Sequence, residues 1–435
     1  MILIYAPVQT ARLSYTLHLM MGTLLGQEFA VTKKLEEYKA FEGPRFSYGK
    51  KADDTSLFFA SAGLLFEKGI GNPVVQDGEY EGIKTIFPVF DRNAALPYDP
   101  FSAVFFMVSR YEEYLPYRKD MYGRFTAPES LAHKKGFLQK PVVHYWTRHV
   151  GEVLCRHFPG LKIRQLQYRF LPTYDIDQAW SFRGKGFVRT AGAYLKSLAQ
   201  GNIREVVERT RVIAGIDPDP FDTYDYQLAL QKRYRLRPVY FFLFSRYGEY
   251  DKNIPVTNSR FRQLIKRLAD YADTGIHPSY ASNPDTDILK REIRDLSKVL
   301  NLEISRSRQH FLKLHIPETY HKLAECDIET DYTMGFAALP GFRAGICVPY
   351  QFYDVDMETI IPIMVVPFAV MDGTLNDYMK LQPDAAIETI GKLISEVKAV
   401  GGVFSSLWHN DSLSETGRWT GWRRVYEELV SRAAT

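Results

Sequence analysis

From residue 166 onward the chain alternates short apolar runs, rich in β-branched and aromatic residues, with amphipathic helical patterns, and few folds accommodate that alternation. The β-like runs fall at 168–174, 239–244, 274–277, 302–306, 327–333, 344–349, 361–370 and 402–407. Helical spacing appears at 222–234, 259–271 with Asn258 or Ser259 as cap, 285–300 after a proline, 383–400 and 422–433. Seven or eight β runs in about 270 residues predict an α/β fold, a single (β/α) barrel. Residues 1–165 read differently, as a smaller α+β domain of unassigned role. Its expected strands are 1–6, 55–59 and 85–87, and its expected helices are 13–25, 99–117 after the Asp99-Pro100 turn, and 141–157.

In such a barrel the chemistry collects at the carboxyl ends of the strands, so the residues that follow each apolar run carry the functional information. They are Tyr174-Asp175-Ile176-Asp177, Ser245-Arg246, His277-Pro278-Ser279-Tyr280 and Arg308-Gln309-His310, then Asp331 within a run, Gly341-Phe342-Arg343 before one, Asp372, and Trp408-His409-Asn410-Asp411. Three of the ten histidines therefore land immediately after β runs on one predicted face, and the other seven lie outside that register. Two imidazoles and a carboxylate converging from different strands are a ligand set for zinc or a similar divalent ion, with a position open for water. A second carboxylate can take a proton from that water and a third histidine can give one to a leaving group, which together is equipment for metal-assisted hydrolysis.

Composition narrows the partners. Lys plus Arg is 55 and Asp plus Glu is 51 in 435 residues, a net charge of +4 with no basic footprint for nucleic acid. Three scattered cysteines, Cys155, Cys326 and Cys347, fit a reducing compartment and argue against zinc held by cysteine. The amino terminus lacks the features of a secretory signal, and no run of about 18 apolar residues occurs without a charge, so a cytoplasmic protein without a transmembrane segment is expected. The oligomeric state is not legible.

Six segments resemble, in order, the motif series of the polysaccharide deacetylase superfamily: TYDIDQAW at 173–180, GIHPSY at 275–280, SRQHFLK at 307–313, DYTMGF at 331–336, GFRAGICVPY at 341–350 and SLWHND at 406–411. The nearest likeness is to a bacterial branch with an extra amino-terminal domain of unknown function. The resemblance implies a distorted (β/α) barrel of about seven strands at 166–435, with that extra domain at 1–165. It also implies a metal-dependent hydrolase that removes acyl groups, usually N-acetyl groups, from amino sugars or glycans.

On that resemblance Asp175 is the catalytic base, Asp177 and His277 are metal ligands, and His409 protonates the departing amine. Two departures stand out. Ile176 separates the two aspartates, where many members have them adjacent, and Ala281 occupies the place of a second ligand histidine four residues after His277. His310, after the neighbouring β run, is the expected replacement ligand, within reach across one strand spacing of about 5 Å. Arg308 and Arg343 are expected to orient the base or bind an anionic substrate group, Asp331 and Asp372 to bind sugar hydroxyls or brace the arginines, and Trp408 to form an apolar wall. The expected cofactor is a divalent metal, zinc foremost, and the expected partner is a carbohydrate substrate. Other readings stay open: a metal-free glycoside hydrolase using Asp175 with Asp331 or Asp372, a non-catalytic glycan-binding or assembly protein, and hydrolysis of a small non-sugar amide or imide.

Overall fold

The computed structural model describes residues 1–52 and 57–435. In the first 165 residues, β1 (Ile2–Tyr5), β2 (Phe29–Thr32), β3 (Arg45–Gly49) and β4 (Phe58–Ala60) form a parallel sheet in the order β2-β1-β3-β4. Thr55 and Ser56 of the expected 55–59 strand lie outside the described residues. The strand expected at 85–87 belongs to an antiparallel hairpin of β5 (Asp77–Tyr80) and β6 (Ile83–Ile86).

The helix Pro100–Val108 is buried along its whole length, as an all-round apolar helix must be. Asp99 starts it by accepting from the Phe101 and Ser102 amides, with proline at the first helical position. It stops nine residues short of the expected 117 because Arg110 turns left-handed (φ +54°), and a 3₁₀ turn Tyr111–Tyr114 follows. The helix expected at 13–25 is regular over Ala11–Leu17 and then widens into π-helical turns over His18–Leu24.

The carboxyl-terminal part carries β7 (Arg169–Ile176), β8 (Val239–Phe242), β9 (Asp273–Ile276), β10 (Arg306–Ser307), β11 (Thr330–Asp331), β12 (Tyr350–Asp354), β13 (Thr359–Val365), β14 (Val370–Met371) and β15 (Val403–His409). Their order is β12-β13-β11-β10-β9-β8-β7-β15-β14, and every neighbouring pair is parallel except β12 with β13. One stretch of chain therefore pairs twice, with β11 through β13 and with β15 through β14. Between them the backbone changes partners: Phe368 N–H donates to the Met334 carbonyl and Ala369 N–H to that of Ser405.

The expected helices are present as Tyr224–Tyr234, Ser259–Ala269, Thr286–Leu300, Pro383–Val400 and Trp422–Ala434. Asn258 and Asp285 cap two of them through their side chains. Residues 344–349 are not a strand. They form a buried turn whose backbone is pinned to the helix Val142–His157 through Val143 N–H to the Gly345 carbonyl, and to β15 through Val403 N–H to the Cys347 carbonyl. Packing against the amino-terminal part, not strand pairing, made that segment apolar. Two helices that the sequence pattern did not announce, Phe187–Ala199 and Ile203–Ile213, lie between β7 and β8. Among the described residues no helix is long and apolar enough to cross a membrane.

A buried charge cluster joins the two parts. Glu113 receives Arg343 Nη2 at 2.5 Å and Nε at 2.9 Å, and Arg110 Nε at 2.8 Å, with all three side chains essentially inaccessible. Arg110 also donates to the Arg343 carbonyl. Burial would raise the Glu113 carboxyl, but the two guanidiniums outweigh it and hold the group below its ordinary value. Its stabilising contribution is therefore complete above the ordinary carboxyl range and is lost as pH falls through the lower folded value. Replacing Glu113 with Gln should leave Arg343 without a carboxylate and Arg110 with Glu112 alone, and cost about 3–5 kcal/mol in denaturant unfolding. A loss below about 1 kcal/mol would show that the cluster does not hold the parts together.

Candidate metal centre

Asp175 and Asp177 sit at the end of β7, between β8 and β15, and parallel pairing sets His409, the last residue of β15, opposite Asp175. His277 follows β9 directly, and His310 follows β10 by three residues. Close packing here depends on Gly275: a Cβ at that position would stand 2.6 Å from the Phe241 ring and 2.7 Å from the Arg306 carbonyl oxygen. Asp175, Asp177, His277, His310 and His409 all face one open cleft of about 300 Å³.

Asp177, His277 and His310 each bring a ligand atom to a point where all three lie within 4.8 Å of one another. His277 Nε2 is 3.2 Å from Asp177 Oδ1, and His310 Nε2 is 3.5 Å from Asp177 Oδ2. Each imidazole has its other nitrogen engaged. His277 Nδ1 meets the Arg308 carbonyl at 2.5 Å, and His310 Nδ1 meets Asp251 Oδ1 at 2.8 Å. Those bonds engage Nδ1 and turn the Nε2 atom of each ring toward Asp177, the orientation in which a neutral histidine binds metal. Asp177 Oδ1 is buried and accepts no hydrogen bond of good geometry. A carboxylate with one orphaned oxygen beside His277 Nε2 and the other beside His310 Nε2 fits a divalent cation.

The charges answer one another. Burial would raise the Asp177 carboxyl, yet His310 and His277 hold it well below the carboxylate range. Burial would lower the His310 imidazole, and Asp177 with Asp251 raise it to about 9 instead. His409 is likewise raised well above its ordinary value: burial opposes, but Asp372, 2.8 Å from His409 Nδ1, prevails. His409 Nε2 points inward, 3.9 Å from Asp177 Oδ2.

The other expected site residues divide. Asp372 is buried and accepts the ring Nδ1–H and backbone N–H of His409 and the Gly373 N–H, so it braces a histidine and not an arginine or a sugar. Arg308 is fully buried, gives Nη1 to Asp175 Oδ1 at 2.9 Å and Nε to the Tyr332 carbonyl, and so orients Asp175. Arg343 is committed to Glu113 and the Gly335 carbonyl. Asp331 is buried, accepts from Thr333 N–H and Oγ1, and is pushed up by burial to about 6. Trp408 is buried against Tyr426, on the face of β15 opposite His409. None of these last three lines the cleft.

Two buried acids escaped the sequence reading. Asp251 orients His310 and also accepts the Tyr280 N–H, so it ties two loops together beneath the ligands. Glu292, raised by burial to about 7, accepts Ser279 N–H and Oγ and fixes the loop after His277. Asp251 lies nine residues beyond β8 in an irregular loop, and Glu292 lies in the helix Thr286–Leu300; neither position follows an apolar run.

A family model described as a family of unknown function, DUF7033, matches residues 2–159. No curated protein matches the chain. Among solved structures, a Mycobacterium smegmatis chain assigned as a polysaccharide deacetylase is 15% identical over 63% of this chain and 86% of its own, at a TM-score of 0.40. Puue allantoinase is 12% identical over 73% and 92%, at 0.38. The polysaccharide deacetylase Bc1974 from Bacillus cereus is 11% identical over 62% and 86%, at 0.29. At these scores the activity has to be read from the site itself.

If Asp251 orients a ligand, Asp251→Asn should weaken divalent-metal affinity by about 10- to 100-fold while the chain stays folded. Calorimetric titration with zinc checks this, and an affinity equal to wild type would remove Asp251 from the site.

Proposed function

We propose that this chain is a metal-dependent hydrolase that removes an acyl group, an N-acetyl group foremost, from an amino sugar or glycan. Asp177, His277 and His310 would hold the ion, with zinc the best match to two imidazole nitrogens and a carboxylate oxygen. The double pairing of the stretch from β13 to β14 supports reading the sheet as a distorted (β/α) barrel of about seven strands. The end of the family match at residue 159 supports a division of the chain near 165.

The observation that carries the reading is the separation of a held carboxylate from a held imidazolium across one set of ligands. Arg308 fixes Asp175 by Oδ1 and leaves Oδ2 on the ligand side, 3.7 Å from His277 Nε2, where it can take a proton from water. Asp372 keeps His409 protonated with its Nε2 toward the cleft, where it can give a proton to a departing amine. A carboxylate fixed in place and a histidine held in its protonated form, on one set of ligands, are the parts that acyl transfer to water needs. When bound, the ion would supply Lewis acidity toward the acyl oxygen and toward water. The carboxylate-pair alternative is weakened because Asp331 faces away from the cleft and Asp372 is engaged by His409.

Asp175→Asn should lower deacetylation of N-acetylglucosamine oligomers by about 10²–10⁴-fold and leave zinc affinity within about twofold, measured as acetate release and by titration. Loss of zinc in this variant would exchange the roles of the two aspartates.

A further inference from the structure

The residues that carry His310 into the cleft adopt a conformation that their own side chains disfavour. Phe311 (φ +59°) and Leu312 (φ +53°) are two successive left-handed residues with bulky side chains. A step of this kind persists only where its surroundings hold it. The holder comes from the amino-terminal part of the chain. The turn at 119–125 is closed by pairing of Lys119 with Phe125, and Asp120 Oδ1 accepts the Tyr122 and Arg124 amides within it. Asp120 Oδ2 takes Arg124 Nε at 2.7 Å, which fixes the plane of the guanidinium. From that plane Nη1 donates to the Phe311 carbonyl at 2.8 Å and Nη2 to the Tyr378 hydroxyl at 3.2 Å. The Tyr122 ring stacks beneath the guanidinium at 4.8 Å and packs on the Phe311 ring at 4.9 Å. The Arg124 side chain is only 8% exposed.

We propose that the amino-terminal part is a working component of the site: Arg124 is a positioning residue that locks the left-handed Phe311–Leu312 step and thereby aims His310 at the metal. The inference rests on the metal reading above and gives the region matched by the family of unknown function a task in it. Only a planar fork serves Asp120, Phe311 and Tyr378 together, so lysine cannot replace it. Neither the turn nor the step has a counterpart among the apolar runs that mark the strands.

The test uses the full chain as wild type, Arg124→Lys, Arg124→Ala and Arg12→Lys. Arg12 is a second buried arginine of the amino-terminal part, bound to Glu358 and distant in sequence from the turn. Cobalt(II) is titrated and its visible spectrum recorded, and amide exchange at Leu312 and Lys313 is followed in metal-free protein. The expected result is at least a tenfold loss of cobalt affinity with an altered visible band in Arg124→Lys, and exchange at least tenfold faster at the two amides. Arg12→Lys should bind within about twofold of wild type with an unchanged spectrum. Should Arg124→Ala not fold, Arg124→Lys decides alone. Unchanged exchange in Arg124→Lys overturns the positioning role whether or not cobalt binds, as does unchanged affinity where wild type binds. A wild type that takes up no cobalt, together with faster exchange in Arg124→Lys, would instead overturn the metal reading and leave the clamp standing.

Discussion

A carboxylate set beside two imidazole nitrogens, with one oxygen buried and accepting no hydrogen bond, costs stability unless a cation meets it. Asp177 is in that position. Much of the surrounding structure makes sense as support for this one group. Asp251 and the Arg308 carbonyl occupy the outer nitrogens of the two histidines, Arg308 restrains Asp175, and Asp372 restrains His409. Asp175, His277, His310 and His409 each have a buried partner that fixes their direction, and those partners come from loops or strand ends adjacent in the sheet but distant in sequence.

The amino-terminal part shares in this arrangement. The Glu113 cluster seals it to the turn at 341–347, and Arg124 reaches the carbonyl that follows His310. Both contacts use arginine in a buried, multiply bonded geometry, where the planar fork matters more than the charge. The first 165 residues thus reach the loops that carry the candidate site residues, as well as the β12–β13 edge of the sheet and the helix Pro383–Val400.

The candidate site was more legible than the fold that carries it. Asp175, Asp177, His277, His310 and His409 could be found because apolar strands end where polar residues begin, and parallel strands end together. Trp408 and Asp331 could not be placed, since the alternation of side chains along a strand decides which face each takes, and two-residue strands such as β11 leave no pattern to read. Arg343 was expected to orient the base or bind a substrate anion; the anion it meets is Glu113, supplied from 230 residues away in sequence, which no local pattern announces. The run at 344–349 was apolar for packing and not for pairing. Asp251 and Arg124 act from irregular loops through hydrogen bonds to residues distant in sequence, and no periodicity announces such residues.

The claim on which all of this turns is that Asp177, His277 and His310 bind a divalent ion. X-ray absorption at the zinc edge of the stoichiometrically loaded chain measures it most directly. The account predicts one zinc per chain with two imidazole nitrogens and the remaining ligands oxygen, at about 2.0–2.1 Å. Failure to take up one equivalent, or a first shell containing sulfur or lacking imidazole, would contradict it.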